Sequence, residues 1–273
     1  MQALRLTADW PVPTVAAAVV LPDGGTHTVG PGQHTFRIAS ISKMFVGWAA
    51  LLACEEGIVH LDQPEAQAGC TLRHLLAHAG GYGFDGEAPI LAPGRRRIYS
   101  NTGIELAAAA IAREAGMPFG EYLRVGVLEP LGMQHTVLKA SPAYGLHSTV
   151  DDLLRFVAEI RRPTLITPAS AAAFSTVQFP ELSGLVPGVG RFDPCPWGLG
   201  TEIRGHKRPH WTGTTNSPAT FGHFGGAGTL LWMDPGADVA CIALTDRPFD
   251  EWSADALRLW PEFADAVLTE VAG

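Results

Sequence analysis

Cysteine is scarce in this chain, and the four present, Cys54, Cys70, Cys195 and Cys241, form no C-x-x-C pair. That spacing suits neither a zinc site nor a disulfide framework, so all four are expected as reduced, mostly buried thiols. No apolar run approaches the ~18 residues that a membrane span needs. The apolar stretch from Thr14 to Leu21 is preceded by one arginine and one aspartate and followed by Pro22-Asp23-Gly24-Gly25. This is the pattern of a strand entering a hairpin and not of a signal peptide, so a cytoplasmic location without a membrane partner is expected. Positive charge is in deficit too: 19 Lys and Arg against 27 Asp and Glu give a net charge of -8. Such a chain repels phosphate backbones and anionic lipid, and nucleic acid is not an expected partner. There is no internal repeat, no low-complexity linker and no G-x-G-x-x-G fingerprint, so no nucleotide or other cofactor is implied.

What is present is ample material for a core. Of 273 residues, 47% are hydrophobic and 17% charged, enough for one large domain or two closely packed lobes. Strand patterns at Thr14 to Leu21 and Thr26 to Val29 flank the Pro-Asp-Gly-Gly turn. From Ser40, the residues Ile41, Met44, Phe45, Trp48, Leu51 and Leu52 recur at helical spacing, predicting a helix buried along one side that ends near Gly57. Helical patterns fill the middle of the chain: TLRHLLAHAG, NTGIELAAAAIAREAG, FGEYLRVGVLEPLG and STVDDLLRFVAEIRRP. From about Trp197 the texture turns to strands (GLGTEI, ATFGHF, GTLLWMD, DVACIALTD), and a last helix from Ser253 to Val271 is expected to break at Pro261. Strands at both ends with helices between predict an α/β (α+β) fold. In it, residues 1–60 and 197–273 form an antiparallel sheet lobe flanked by helices, and 61–196 form an inserted helical lobe.

Ser40 and Lys43 stand three residues apart, on one helical face. A serine hydroxyl is a weak nucleophile at neutral pH and needs a base within hydrogen-bond reach, together with donors for the developing oxyanion. A lysine in a dry site supplies that base, because burial lowers its pKa. Alone, the tetrad reads as a helix cap followed by a surface lysine, since Ser-x-x-Lys recurs by chance in most proteins. It is joined by Tyr99-Ser100-Asn101 at the mouth of a later helix and by His223-Phe224-Gly225 just before a strand.

These three motifs, in this order and with large gaps between them, resemble the serine β-lactamase and penicillin-binding protein superfamily. The similarity is greatest to the class C β-lactamase-like branch, which includes esterases and D-aminopeptidases. Segments such as TLRHLLAHAGGY, EYLRVGVLEPLGM and GLHSTVDDLLRF extend the resemblance over nearly the whole chain. The resemblance implies a β-lactamase/transpeptidase-like fold and acyl transfer to serine and then to water. Ser40 would be the acylated nucleophile, Lys43 its proton acceptor or electrostatic partner, and Tyr99 the general base and acid. Asn101, His223 and Gly225 would contact substrate, and the N–H groups of Ser40 and Gly226 would form the oxyanion hole, close to substrate because both glycines lack a side chain. Substrates would be small esters, amides or β-lactams.

Many relatives carry lysine where this chain has His223, and that lysine helps hold a substrate carboxylate. A histidine, mostly neutral near pH 7, favours an esterase or amide hydrolase over an efficient β-lactamase. A true β-lactamase or D-peptidase, and a penicillin-binding sensor that acylates without turnover, are the alternatives. There is no G-x-S-x-G elbow and no H-x-H-x-D-H cluster, which excludes an α/β-hydrolase and a metallo-β-lactamase. The H-x-x-x-H pair His74 and His78 lacks an H-E-x-x-H context and reads as structural, so no metal is expected. Two basic groups, Arg95 to Arg97 and Arg204 to His210, are either solvated loop charge or a means of attracting anionic substrates to the cleft.

Overall fold

The computed structural model describes residues 1–273. In chain order its elements are strands β1 (Val15–Val20), β2 (Thr26–Val29) and β3 (Phe36–Arg37), then helices α1 (Ser42–Glu55), α2 (Leu72–Leu76), α3 (Asn101–Ala115) and α4 (Phe119–Leu123). Strands β4 (Val137–Leu138) and β5 (Leu146–Ser148) precede helices α5 (Val150–Arg161) and α6 (Pro168–Phe174). Strands β6 (Gly184–Val186), β7 (Gly190–Phe192), β8 (Glu202–Ile203), β9 (Phe221–Gly225), β10 (Thr229–Asp234) and β11 (Val239–Thr245) follow, and helix α7 (Ser253–Ala272) closes the chain.

The main sheet is antiparallel and runs β2-β1-β11-β10-β9-β8, so the first strand pairs with the last and both ends of the chain share one sheet. Each inner strand divides its residues by parity between two cores. Ala16, Ala18, Leu231, Ile242 and Leu244 face the helical side, while Ala17, Val19, Leu230, Trp232, Cys241 and Ala243 face α7 and the N-terminal 3-10 turn. A sheet covered on both faces needs apolar residues at every position, which is why these segments read as continuous apolar runs and not as alternation.

Helix α1 departs from expectation. Every residue from Ser42 to Ala53 is buried, because α3, α4 and α6 pack on the helix and Phe156 of α5 covers Phe45 and Trp48. Phe45 stacks on Phe156 at 4.0 Å, and Trp48 meets Phe156 and Phe174 edge-on. Helix α7 is also continuous through Pro261, since the burial of Trp260, Phe263, Ala264 and Val267 outweighs the one backbone hydrogen bond that proline removes. The TLRHLLAHAG segment is helical over only five residues, as His78 adopts a left-handed conformation (φ 56°) that ends the helix. Segment 61–196 holds α2 to α6 together with four strands, so it is not all helix: β5 pairs with both β3 and β4, and β6 and β7 form a separate hairpin. No helix is long and apolar enough to cross a membrane.

Candidate active site

Ser40 lies on a short 3-10 turn (Ala39–Ile41) just ahead of α1, and its side chain caps nothing. Ser42 is not a cap either: its hydroxyl donates to the Ala39 carbonyl at 2.6 Å and accepts from the Leu146 N–H at 3.1 Å. Ala39 has a φ of 45°, a strained value for a residue with a side chain, and the turn it makes aims Ser40 into a cavity of about 380 Å³. Gly225 abuts this turn. A Cβ there would press on the Ile38 carbonyl oxygen and on Thr229 Oγ1, so the missing side chain serves the approach of β9 to the serine turn. Gly226, by contrast, lines the cavity with open space around its Cα, and its N–H makes no hydrogen bond within the chain.

Lys43 is fully buried on the first turn of α1, and its ammonium nitrogen is held by three partners. Nζ is 2.7 Å from Asn101 Oδ1, 2.8 Å from the Ala143 carbonyl oxygen and 3.2 Å from Ser40 Oγ. The first two can only accept, so the third substituent of the nitrogen decides the chemistry: an ammonium donates to Ser40, and a neutral amine turns its lone pair to the Ser40 hydroxyl. Burial lowers the Lys43 pKa to about 7, with Glu105 and Asp85 pulling weakly the other way. Both forms are therefore populated near neutrality.

The loop before α3 supplies the other groups. Ser100 caps α3 by accepting from the Gly103 N–H, and the Ser100 N–H donates to His78 Nδ1 at 3.1 Å. That bond assigns the proton of His78 to Nε2, which packs beside the Tyr99 ring without a partner. His74 is turned elsewhere, bonded to Thr71 and stacked on Phe179. Asn101 reaches Lys43 with its oxygen and Asp85 with its amide nitrogen. Tyr99 lies under Lys43, the ring centroid 4.8 Å from Nζ, and burial raises its pKa far above the ordinary phenol range.

The Tyr99 hydroxyl is 3.4 Å from His223 Nε2. The other ring nitrogen of His223 sits 2.6 Å from the Phe224 carbonyl oxygen, an acceptor, so Nδ1 carries the proton and Nε2 accepts from Tyr99. Burial, reinforced by the Lys43 charge, lowers the His223 pKa to about 3, and the ring is neutral at any working pH.

Ser40, Lys43, Tyr99, Asn101, His223 and Gly226 thus converge, whereas the two basic groups do not act together. Arg97 is buried, its guanidinium donating to the carbonyls of Ala77, Cys195, Gln178 and Phe179, while Arg95 and Arg96 are exposed. Lys207 and His210 are buried against Glu202, at 2.8 and 3.0 Å. Burial would raise the Glu202 pKa, but those two partners outweigh it and hold the carboxyl well below its usual range. Glu202, Trp197 and Phe84 line the cavity and were not singled out from sequence. The one available signal was a glutamate in the apolar strand segment GLGTEI, five residues before a lysine.

A family model described as Beta-lactamase matches residues 12–260. Among solved structures, a beta-lactamase from Mycobacterium bovis shares 46% identity and superposes with a TM-score of 0.95, over 98% of this chain and 99% of that one. EstCE1, a hydrolase with promiscuous acyltransferase activity, has the same fold at 17% identity and a TM-score of 0.76, over 96% of both chains. The beta-lactamase of Pseudomonas fluorescens is 24% identical over 78% of this chain and 80% of its own. That of Escherichia coli K12 is 25% identical over 48% of this chain and 49% of its own, so the match spans about half the length of that relative.

Proposed function

The chain belongs to the Beta-lactamase family, and on that premise we propose that it is a serine hydrolase which forms an acyl-enzyme on Ser40 and passes the acyl group to water. The observation that carries this reading is the buried amine of Lys43, pinned by two carbonyl oxygens so that its remaining substituent meets Ser40 Oγ at 3.2 Å. As the Ser40 oxygen bonds to the substrate carbonyl carbon, its proton passes to Lys43. The oxyanion is received by the N–H groups of Ser40 and Gly226. Collapse expels the leaving group, which takes a proton from Lys43 by way of the Tyr99 hydroxyl. Water then attacks the acyl carbon, its proton returns along the same route, and Ser40 departs as the free hydroxyl.

Ester or amide substrates fit this site better than anionic β-lactams. His223 is neutral, Arg97 is spent on backbone carbonyls, and Lys207 is neutralised by Glu202, so no free cation meets a carboxylate at the serine. A β-lactamase or D-peptidase is the second reading, favoured by the name of the Mycobacterium bovis relative and its 46% identity. Turnover of nitrophenyl acetate against nitrocefin separates the two. The proposal expects higher kcat/KM on the ester and a loss of at least about a thousandfold in Ser40→Ala. Preference for nitrocefin would establish the second reading, and a stoichiometric burst without turnover would identify a sensor that only acylates.

A further inference from the structure

Nine large apolar side chains of the chain are exposed, and four of them, Phe84, Ile90, Leu91 and Leu185, line one groove of about 760 Å³. Exposed apolar residues normally scatter, so this clustering marks a surface shaped to be covered. Its walls are the 84–98 loop and the β6-β7 hairpin, tied together where the Arg97 N–H donates to the Ser183 carbonyl at 2.9 Å. Phe84, Tyr99 and Pro187 line both this groove and the cavity that holds Ser40, so one runs into the other. Three charged side chains besides the buried Arg97 line the groove: Arg96, Arg191 and Asp193, all exposed. Neither arginine forms an ion pair with the protein, and together they leave the groove with an excess of positive charge over Asp193.

We infer that this groove binds an extended apolar arm of the substrate that ends in an anionic group, the arm lying on Phe84, Ile90, Leu91 and Leu185 and the anion meeting Arg96 and Arg191. The inference rests on the acyl-transfer reading of Ser40 and gives its substrate class: esters or amides with a long hydrocarbon arm and a carboxylate or phosphate tip. The continuity of the groove with the serine cavity names substrate as the occupant. A separate docking partner would have no need to share Tyr99 with the reacting centre. Neither arginine lines the cavity of Ser40, so the anionic tip would bind outside it, which is compatible with the neutral His223 beside the serine.

The test uses three fluorophosphonates that differ only in one arm: ethyl, octyl and carboxylate-tipped octyl. Each transfers phosphorus to serine as the P–F bond breaks and fluoride leaves, and either phosphorus substituent can occupy the groove. Labelling rates are read by intact-protein mass on the whole chain. With about fourfold gained per methylene buried, the octyl probe is expected to react at least tenfold faster than the ethyl probe. The tipped probe should exceed the octyl probe at low salt and lose that margin as salt rises. In Leu185→Asp the octyl-to-ethyl ratio should fall toward one, and in the double variant Arg96→Ala, Arg191→Ala the margin of the tipped probe should vanish. Unchanged thermal unfolding of both variants would show that these changes are local. Equal rates for ethyl and octyl in the wild type would overturn the groove while leaving the serine reading intact, and a tipped probe slower than octyl would overturn the anionic end. No labelling by any probe would overturn the serine reading, and the groove assignment with it.

Discussion

A lysine buried among carbonyl oxygens is costly when charged, and Lys43 carries that cost next to Ser40. Its pKa is lowered from 10.5 to about 7 by burial. Below pH 7 the folded and unfolded chains both hold the proton, and the destabilisation is complete. Between about 7 and 10.5 the folded protein has shed the proton while the unfolded chain keeps it, so unfolding takes up a proton and stability rises with pH. Lys43→Met removes this titration. The variant's stability relative to wild type, measured by urea denaturation, is expected to be most favourable at pH 6 and to decline by about 1.4 kcal/mol per pH unit above 7. A difference that does not vary with pH would mean that Lys43 is not the depressed base. His223 shows the complementary logic. Its proton is locked on Nδ1 by the Phe224 carbonyl, so its free lone pair orients the Tyr99 hydroxyl without adding charge.

At the scale of elements, helix α1 is positioned by close backbone approach as well as by its apolar residues. Gly47, one turn beyond Lys43, lies against the Leu199 carbonyl, and Gly200 packs on the Lys43 carbonyl and on Gly47. A Cβ at Gly47 would press into Leu199 O and also meet Phe174 at 3.2 Å. Alanine is the better helix former by about 1 kcal/mol, yet Gly47→Ala is expected to destabilise by about 2 kcal/mol or more, since overpacking outweighs propensity here. Chemical denaturation checks this, and an equal or higher stability would show that the contact is easily relaxed. The strands that meet in the main sheet and the start of α3 were legible in the sequence, because apolar runs and turn residues are local signals. The full burial of α1 was not, since a periodic apolar stripe sets a minimum for burial and says nothing of what covers the other faces. Nor was the short α2, which ends on the backbone conformation of a single histidine.

At the scale of the molecule, pairing the first strand with the last joins both ends of the chain in one sheet, the Ser40 turn packs against β9, and α3 and its preceding loop bring Tyr99 and Asn101 to Lys43. The residues at the centre were readable because each sits in a short motif. Glu202, Trp197 and Phe84 were not, because contacts with distant parts of the chain bring them to the cavity, as where Trp197 meets the rings of His78 and Tyr99 and Glu202 pairs with Gly222. The same packing turned Arg97, Lys207 and His210, which look like free surface charge in sequence, into buried structural partners. What all of this assembles is one serine beside one amine that is half protonated near neutrality. The most direct test is the pH dependence of fluorophosphonate labelling from pH 5 to 9, followed by intact-protein mass in the wild type and in Ser40→Ala. A single adduct that is absent from Ser40→Ala, forming at a rate that climbs about tenfold per unit and levels near pH 7, is the predicted result. An adduct that persists in Ser40→Ala, or a rate still climbing at pH 9 toward the ordinary lysine pKa of 10.5, would contradict it.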